Sequence, residues 1–228
     1  MNLVSGWASR MYMLDKEYAS RISLVLGSAY YQDWIDYYQK VLKGTRDVRY
    51  RQNNKVLLAI QLQLAKAETK LWLLLREGRG KAKQLHLKDS LTEKEIKELR
   101  GLEDHICIHE QLIRISRTIC DGIAWRNLKY NRTFLNSAAR GFGYISIDIE
   151  SRNFKTEFEW AYRITTKLNS LVILNDLTHF LRIGDLTEIS EGIPFIHELK
   201  KYGKKIKNLF TLQKIKVSGK IIVKGKML

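Results

Sequence analysis

The residues best suited to chemistry lie in one stretch, Gly184-Asp-Leu-Thr-Glu-Ile-Ser-Glu-Gly-Ile-Pro-Phe-Ile-His-Glu-Leu-Lys200. Asp185 stands at the start of one predicted strand. Glu198 and Lys200 stand two apart on the next, and residues i and i+2 of a strand share a face. A turn between Gly192 and Pro194 would fold Asp185 alongside them. Two carboxylates and an amine converging on one spot can hold a divalent cation and set a water beside a phosphate. The cation polarises the phosphoryl oxygen and acidifies its bound water, and the lysine orients the nucleophile or offsets developing charge. The Glu-x-Lys triplet alone says little, because Glu68-Thr-Lys70 and Glu95-Ile-Lys97 repeat it inside predicted helices. An apolar strand, an upstream Gly-Asp and a basic segment behind set Glu198 apart.

This pattern resembles that of the PD-(D/E)XK nucleases over roughly residues 150 to 217. The resemblance implies an αβββαβ core, Mg²⁺ or Mn²⁺ as cofactor, and hydrolysis of phosphodiester bonds, with DNA favoured over RNA. It implies Asp185 as the first acid, Glu198 as the second and Lys200 as the lysine. A glutamate on the preceding helix often completes the metal site in that family; Glu157 or Glu159 stands there, with Glu157 taken provisionally. The segment from Lys200 to Gln213 resembles the basic loop and helix that follow. Lys201, Lys204, Lys205, Lys207, Asn208 and Gln213 are its candidate nucleic-acid contacts. With 28 residues after Lys200, the core is expected to be minimal or cut short.

Other constellations are weaker. His105 and His109 share a helix face at i, i+4, a metal-ligand spacing, but the sequence offers no third ligand and packed or solvated histidines are the plainer reading. Trp125 beside Arg126 suits base stacking, yet a core tryptophan next to a solvated arginine explains it as well. No phosphate loop and no Gly-x-Ser-x-Gly elbow occurs.

Positioning these residues calls for an α+β chain: an N-terminal helical bundle or hairpin over 1–138, then a small α/β nuclease-like core over 139–228. Tyr18, Ile22, Leu26 and Tyr30 recur every fourth position, with Gly44 as a stop. Asn53 to Glu77 is the strongest helical run, and Gly78 and Gly80 open a basic connector. Ser90 and Glu93 form a capping box for a helix towards Asn127, interrupted near Gly101. Residues 144–150 alternate with period two and predict a strand. Helix is expected from Phe154 to about Leu174, strands at 178–183, 186–189 and 195–199, a helix over 207–217, and a last strand at 221–223.

Charge and cysteine usage narrow the class. The 228 residues carry 40 Lys and Arg against 24 Asp and Glu, a net +16. No acid follows Glu198, while ten lysines do, so the last thirty residues supply ten of those sixteen charges. Such a field attracts polyanions. Nucleic acid is the expected partner rather than a membrane, since the tail lacks an aromatic amphipathic face. A homo-oligomer or protein partner would use the helical part. Cys107 and Cys120 form no CxxC pair, and with neither a secretory leader nor a ~20-residue apolar span the expected location is the cytoplasm. The competing reading is a non-catalytic nucleic-acid-binding or interaction protein with a degenerate nuclease-like core.

Overall fold

A computed structural model of the chain describes residues 29–46, 53–129, 146–181, 184–190, 193–199, 212–217 and 220–224. The first four elements are helices: α1 (Ala29–Arg46), α2 (Asn54–His86), α3 (Glu93–Asn127) and α4 (Arg152–Lys167). β1 (Leu171–Leu174), a 3₁₀ turn (Asn175–Leu177), β2 (Leu186–Ser190) and β3 (Ile193–His197) follow. β4 (Leu212–Val217) and β5 (Lys220–Lys224) form a separate antiparallel hairpin. The α+β class holds. The backbone groups into two compact units, Met1–Gly44 with Lys70–Ile115 and Thr45–Thr69 with Ser116–Leu228.

In the first unit α1 buries Tyr31, Ile35 and Tyr38, spaced four and three apart as one helical face requires. The end of α2 and the start of α3 run antiparallel: Arg79 pairs with Glu110 at 2.7 Å and His86 with Glu103 at 3.4 Å. Ala82, Leu85 and Leu99 form the core between them, flanked by Leu91, Leu102 and Ile106. This is the expected hairpin, but α2 does not stop at Gly78. Glu77 bonds Lys81 at 2.7 Å across the glycines, and buried Ala82 and Leu85 keep the helical period. Gly78 serves close packing, because a Cβ there would lie 3.3 Å from Ile106 Cγ1. The cap of α3 also differs. Thr92, not Ser90, forms the box: Thr92 N donates to Glu95 Oε2 at 2.9 Å and Glu95 N to Thr92 Oγ1 at 3.3 Å. α3 then passes Gly101 unbroken.

The second unit centres on an antiparallel sheet in the order β1-β2-β3. Leu171 pairs with Ile189 and Leu174 with Leu186; Leu186 in turn pairs with His197. All four β1 residues are buried, each apolar side chain contributing about 1.5–3 kcal/mol. The helix expected through Leu174 ends at Lys167 because Asn169 takes φ +50, a left-handed conformation asparagine tolerates. β-branched Val172 and Ile173 then suit a strand. α4 packs on β1 and β2, and Ser151 caps it by accepting from Phe154 N.

α2 finishes the edge of this sheet. Gln61, fully buried, donates from Nε2 to Val172 O and accepts from Leu174 N, both at 2.8 Å. Thr69 does the same for the chain before α4: its hydroxyl donates to Ile147 O and accepts from Ile149 N, both at 3.2 Å. That explains why 146–150 is not the predicted strand. Its backbone partner is a helix side chain, and Asp148 turns it by accepting from Glu150 N at 2.9 Å. Nearby, Arg117 and Glu68 make a fully buried ion pair at 3.1 Å.

Two further expectations change. Residues 178–181 are not a strand: Thr178 Oγ1 donates to Asn175 O and accepts from Leu181 N, holding a turn. Residues 212–217 are strand rather than helix, so Gln213 lies on β4. The alternating Leu-Gln-Lys-Ile-Lys-Val has period two, and the Ser218-Gly219 pair behind it is a turn signal.

A candidate carboxylate site at the end of the sheet

Asp185 is set by backbone geometry before its side chain acts. Gly184 has φ +69, and a Cβ there would stand 2.6 Å from Ile196 Cγ2 and 2.7 Å from the His197 carbonyl oxygen. Only glycine fits so close a left-handed turn. Asp185 N then donates to His197 O at 2.8 Å, and Asp185 O accepts from Asn175 N at 3.1 Å. The Asp185 carboxylate accepts from Leu199 N. It therefore meets the backbone between Glu198 and Lys200, just beyond the end of β3.

Asn175, the first residue of the 3₁₀ turn after β1, ties the arrangement together. Its Nδ2 donates to Gly184 O at 3.2 Å, and its Oδ1 accepts from Thr187 Oγ1 at 2.8 Å. It is buried at 1 % exposure, and sequence reasoning passed it over. The signal was an Asn-Asp pair closing the apolar run 171–174. Asp176, next to it, was missed for the same reason.

α4 brings the third acid. Phe154, Glu157, Ala161 and Ile164 follow the i, i+3, i+7, i+10 spacing of one face, and the other three are buried. Burial first, then the charges of Asp176 and Asp185, push the Glu157 carboxyl up to about 8. Three acids from α4, the 3₁₀ turn and the start of β2 thus share one electrostatic field. Glu159 is exposed instead and pairs with Arg163 along the helix, so of the two glutamates it is Glu157 that shares the field of Asp185. Among the described residues, no three His, Cys, Asp or Glu side chains gather tightly enough to cage an ion by themselves.

The donor set still suits a hard divalent cation. Carboxylates that raise one another's proton affinity are relieved by a shared positive charge. Asp185 and Glu157 would contribute to such a site, with Glu198 exposed alongside and Asp176 adding negative field. Lys200, Lys201, Lys204, Lys205, Lys207 and Asn208 lie outside the described residues.

The opposite face of the sheet carries a different pair. Strand alternation places Glu188 and His197 away from Asp185 and Thr187, and His197 Nε2 lies 3.0 Å from Glu188 Oε2. Burial favours the protonated Glu188, but hydrogen bonds with His197 and Ser170 and the His197 charge hold its carboxyl below the usual value. On α3, Asp121 grips His179 through both its backbone N at 2.8 Å and its Nδ1 at 2.7 Å. Trp125 packs edge-on against Phe180, ring centres 5.6 Å apart, and Arg126 Nη1 donates to Thr45 O at 3.4 Å.

No protein family, curated protein or solved structure matches this chain. Among the described residues no helix is long and apolar enough to cross a membrane.

Proposed function

We propose that the protein is a metal-dependent nuclease that hydrolyses phosphodiester bonds, DNA being the favoured substrate, in the cytoplasm. The observation that carries this reading is the Asp185 carboxylate seated on the Leu199 amide, between Glu198 and Lys200, with Glu157 and Asp176 in the same field. The order α4-β1-β2-β3 also supports it, being the first four elements of the core that the PD-(D/E)XK resemblance implies.

In this reading Asp185, Glu157 and Glu198 hold Mg²⁺ or Mn²⁺, and Asp176 adds negative field. The metal supplies Lewis acidity at the phosphoryl oxygen and a more acidic water. Asn175 and Gly184 fix Asp185, so its carboxylate needs no reorganisation. Lys200 orients the attacking water or offsets charge on the phosphate. The lysines after it, with Asn208 and Gln213, retain the polyanion, and their contacts make binding fall steeply with salt.

The test is cleavage of plasmid and single-stranded DNA and of RNA, with Mg²⁺ or Mn²⁺. Asp185→Asn and Lys200→Ala should each lower the cleavage rate by about 10²-fold or more, the scale of lost electrostatic stabilisation, while low-salt binding persists. Undiminished cleavage in both variants sinks the assignment. Salt-sensitive binding with no cleavage in the wild type would favour the non-catalytic reading.

A further inference from the structure

His105 and His109 belong to a different place, the first unit. Four residues apart on α3, they face the same way. Tyr31 of α1 lies against both. Its hydroxyl is hydrogen-bonded to His105 Nδ1. The three ring centres form a nearly equilateral triangle: 5.7 Å from Tyr31 to His105, 5.9 Å from Tyr31 to His109, and 6.3 Å between the histidines. Tyr31 is fully buried and His109 is 6 % exposed, whereas His105 reaches solvent.

One atom in this cluster calls for a ligand. His109 Nε2 is buried and, among the described residues, has no hydrogen-bond partner. A buried polar atom left so costs about 1–3 kcal/mol. Packing of the His105–Tyr31 pair does not account for it.

We propose that Tyr31, His105 and His109 form a zinc-type transition-metal site, bound through two imidazoles and the phenol oxygen. Two histidine nitrogens and one oxygen with a fourth position open match the His₂–oxygen donor count of three-ligand zinc sites, the phenol here standing where a carboxylate usually does. Rings that share a tetrahedral ion through bonds of ~2.0–2.1 Å have centres roughly 5–7 Å apart, and all three separations here fall in that range. The ion takes the place of the proton between Tyr31 and His105, and the phenol proton leaves to solvent. The sequence offered two ligands at helical spacing; α1 supplies the third.

The test is a Zn²⁺ titration of the full chain against a chromogenic chelator, with thermal melting alongside. The expected result is one site per chain of micromolar affinity or tighter, and a melting temperature raised by Zn²⁺. His105→Asn, which alters the exposed ligand and spares the core, should weaken binding at least 30-fold; Tyr31→Phe should weaken it about 10-fold. Asp185→Asn should leave zinc affinity unchanged, separating this site from the carboxylates. Wild-type binding weaker than about 100 µM, unchanged affinity in His105→Asn, or a loss that follows Asp185→Asn would each overturn the proposal.

Discussion

Replacing Glu157 by glutamine should stabilise the protein and cripple the site together. The carboxyl titrates at about 8 when folded, against the usual 4.5. An acid whose folded value is raised binds a proton more tightly in the native state, so its contribution is fully present below 4.5 and is lost as pH rises through 8. The loss runs at about 1.4 kcal/mol per pH unit, on the order of 5 kcal/mol across that window. Partial exposure of Glu157 and relaxation around it reduce this to about 1–3 kcal/mol. Glutamine keeps the shape and hydrogen-bonding atoms and never ionises. Glu157→Gln should therefore match the wild type in urea unfolding at pH 5 and exceed it by about 1–3 kcal/mol at pH 9. Mg²⁺ should then stabilise the wild type more than the variant, because the ion binds the charged acids of the native state. A stability gap that stays flat from pH 5 to 9, or one that favours the wild type at pH 9, would refute the shared-field argument.

Three more perturbations test the frame that holds the site. Gly184→Ala must place a Cβ 2.7 Å from the His197 carbonyl oxygen at φ +69; urea unfolding should show a loss of about 2 kcal/mol or more, and a loss under 0.5 would contradict the geometry. Gln61→Leu strips Val172 O and Leu174 N of their partners and should cost about 2–6 kcal/mol at ~1–3 per buried group. Hydrogen exchange should show Leu174 losing protection before Leu186 does. Thr92→Ala should cost about 1 kcal/mol as a lost helix cap, while Ser90→Ala should leave the melting curve in place; the reverse ranking would restore the box at Ser90.

The sequence was most readable where local chemistry and tertiary context agree. β2 and β3 fall where short apolar segments between turn residues predict strands, and the Gly-Asp before β2 sits where the turn needs it. It was least readable where a distant side chain replaced a strand. Residues 144–150 alternate like a strand in sequence, but Thr69, about 80 positions earlier, takes up the backbone groups of Ile147 and Ile149. The helix drawn through Leu174 failed because a left-handed Asn169 is compatible with either reading until β1 finds its partner. At the site, Asp185 was visible through its spacing from Glu-x-Lys. Asn175 and Asp176 were not, since they follow a strand that had been taken for helix. Glu157 was visible only as one of two candidates, because what separates it from Glu159 is burial.

Gln61 has a kinetic consequence. It completes the outer edge of β1 from 111 and 113 residues away along the chain. Three short strands with one edge lacking its partners are marginal in water. β1 can therefore persist only after the first turns of α2 exist and have found it. Closing so long a loop costs entropy before any contact is made, and folds governed by distant contacts form slowly. These strands thus wait on a helix synthesised well before them. An α2 that folds promptly also blocks the edge along which a second chain's strand would otherwise add.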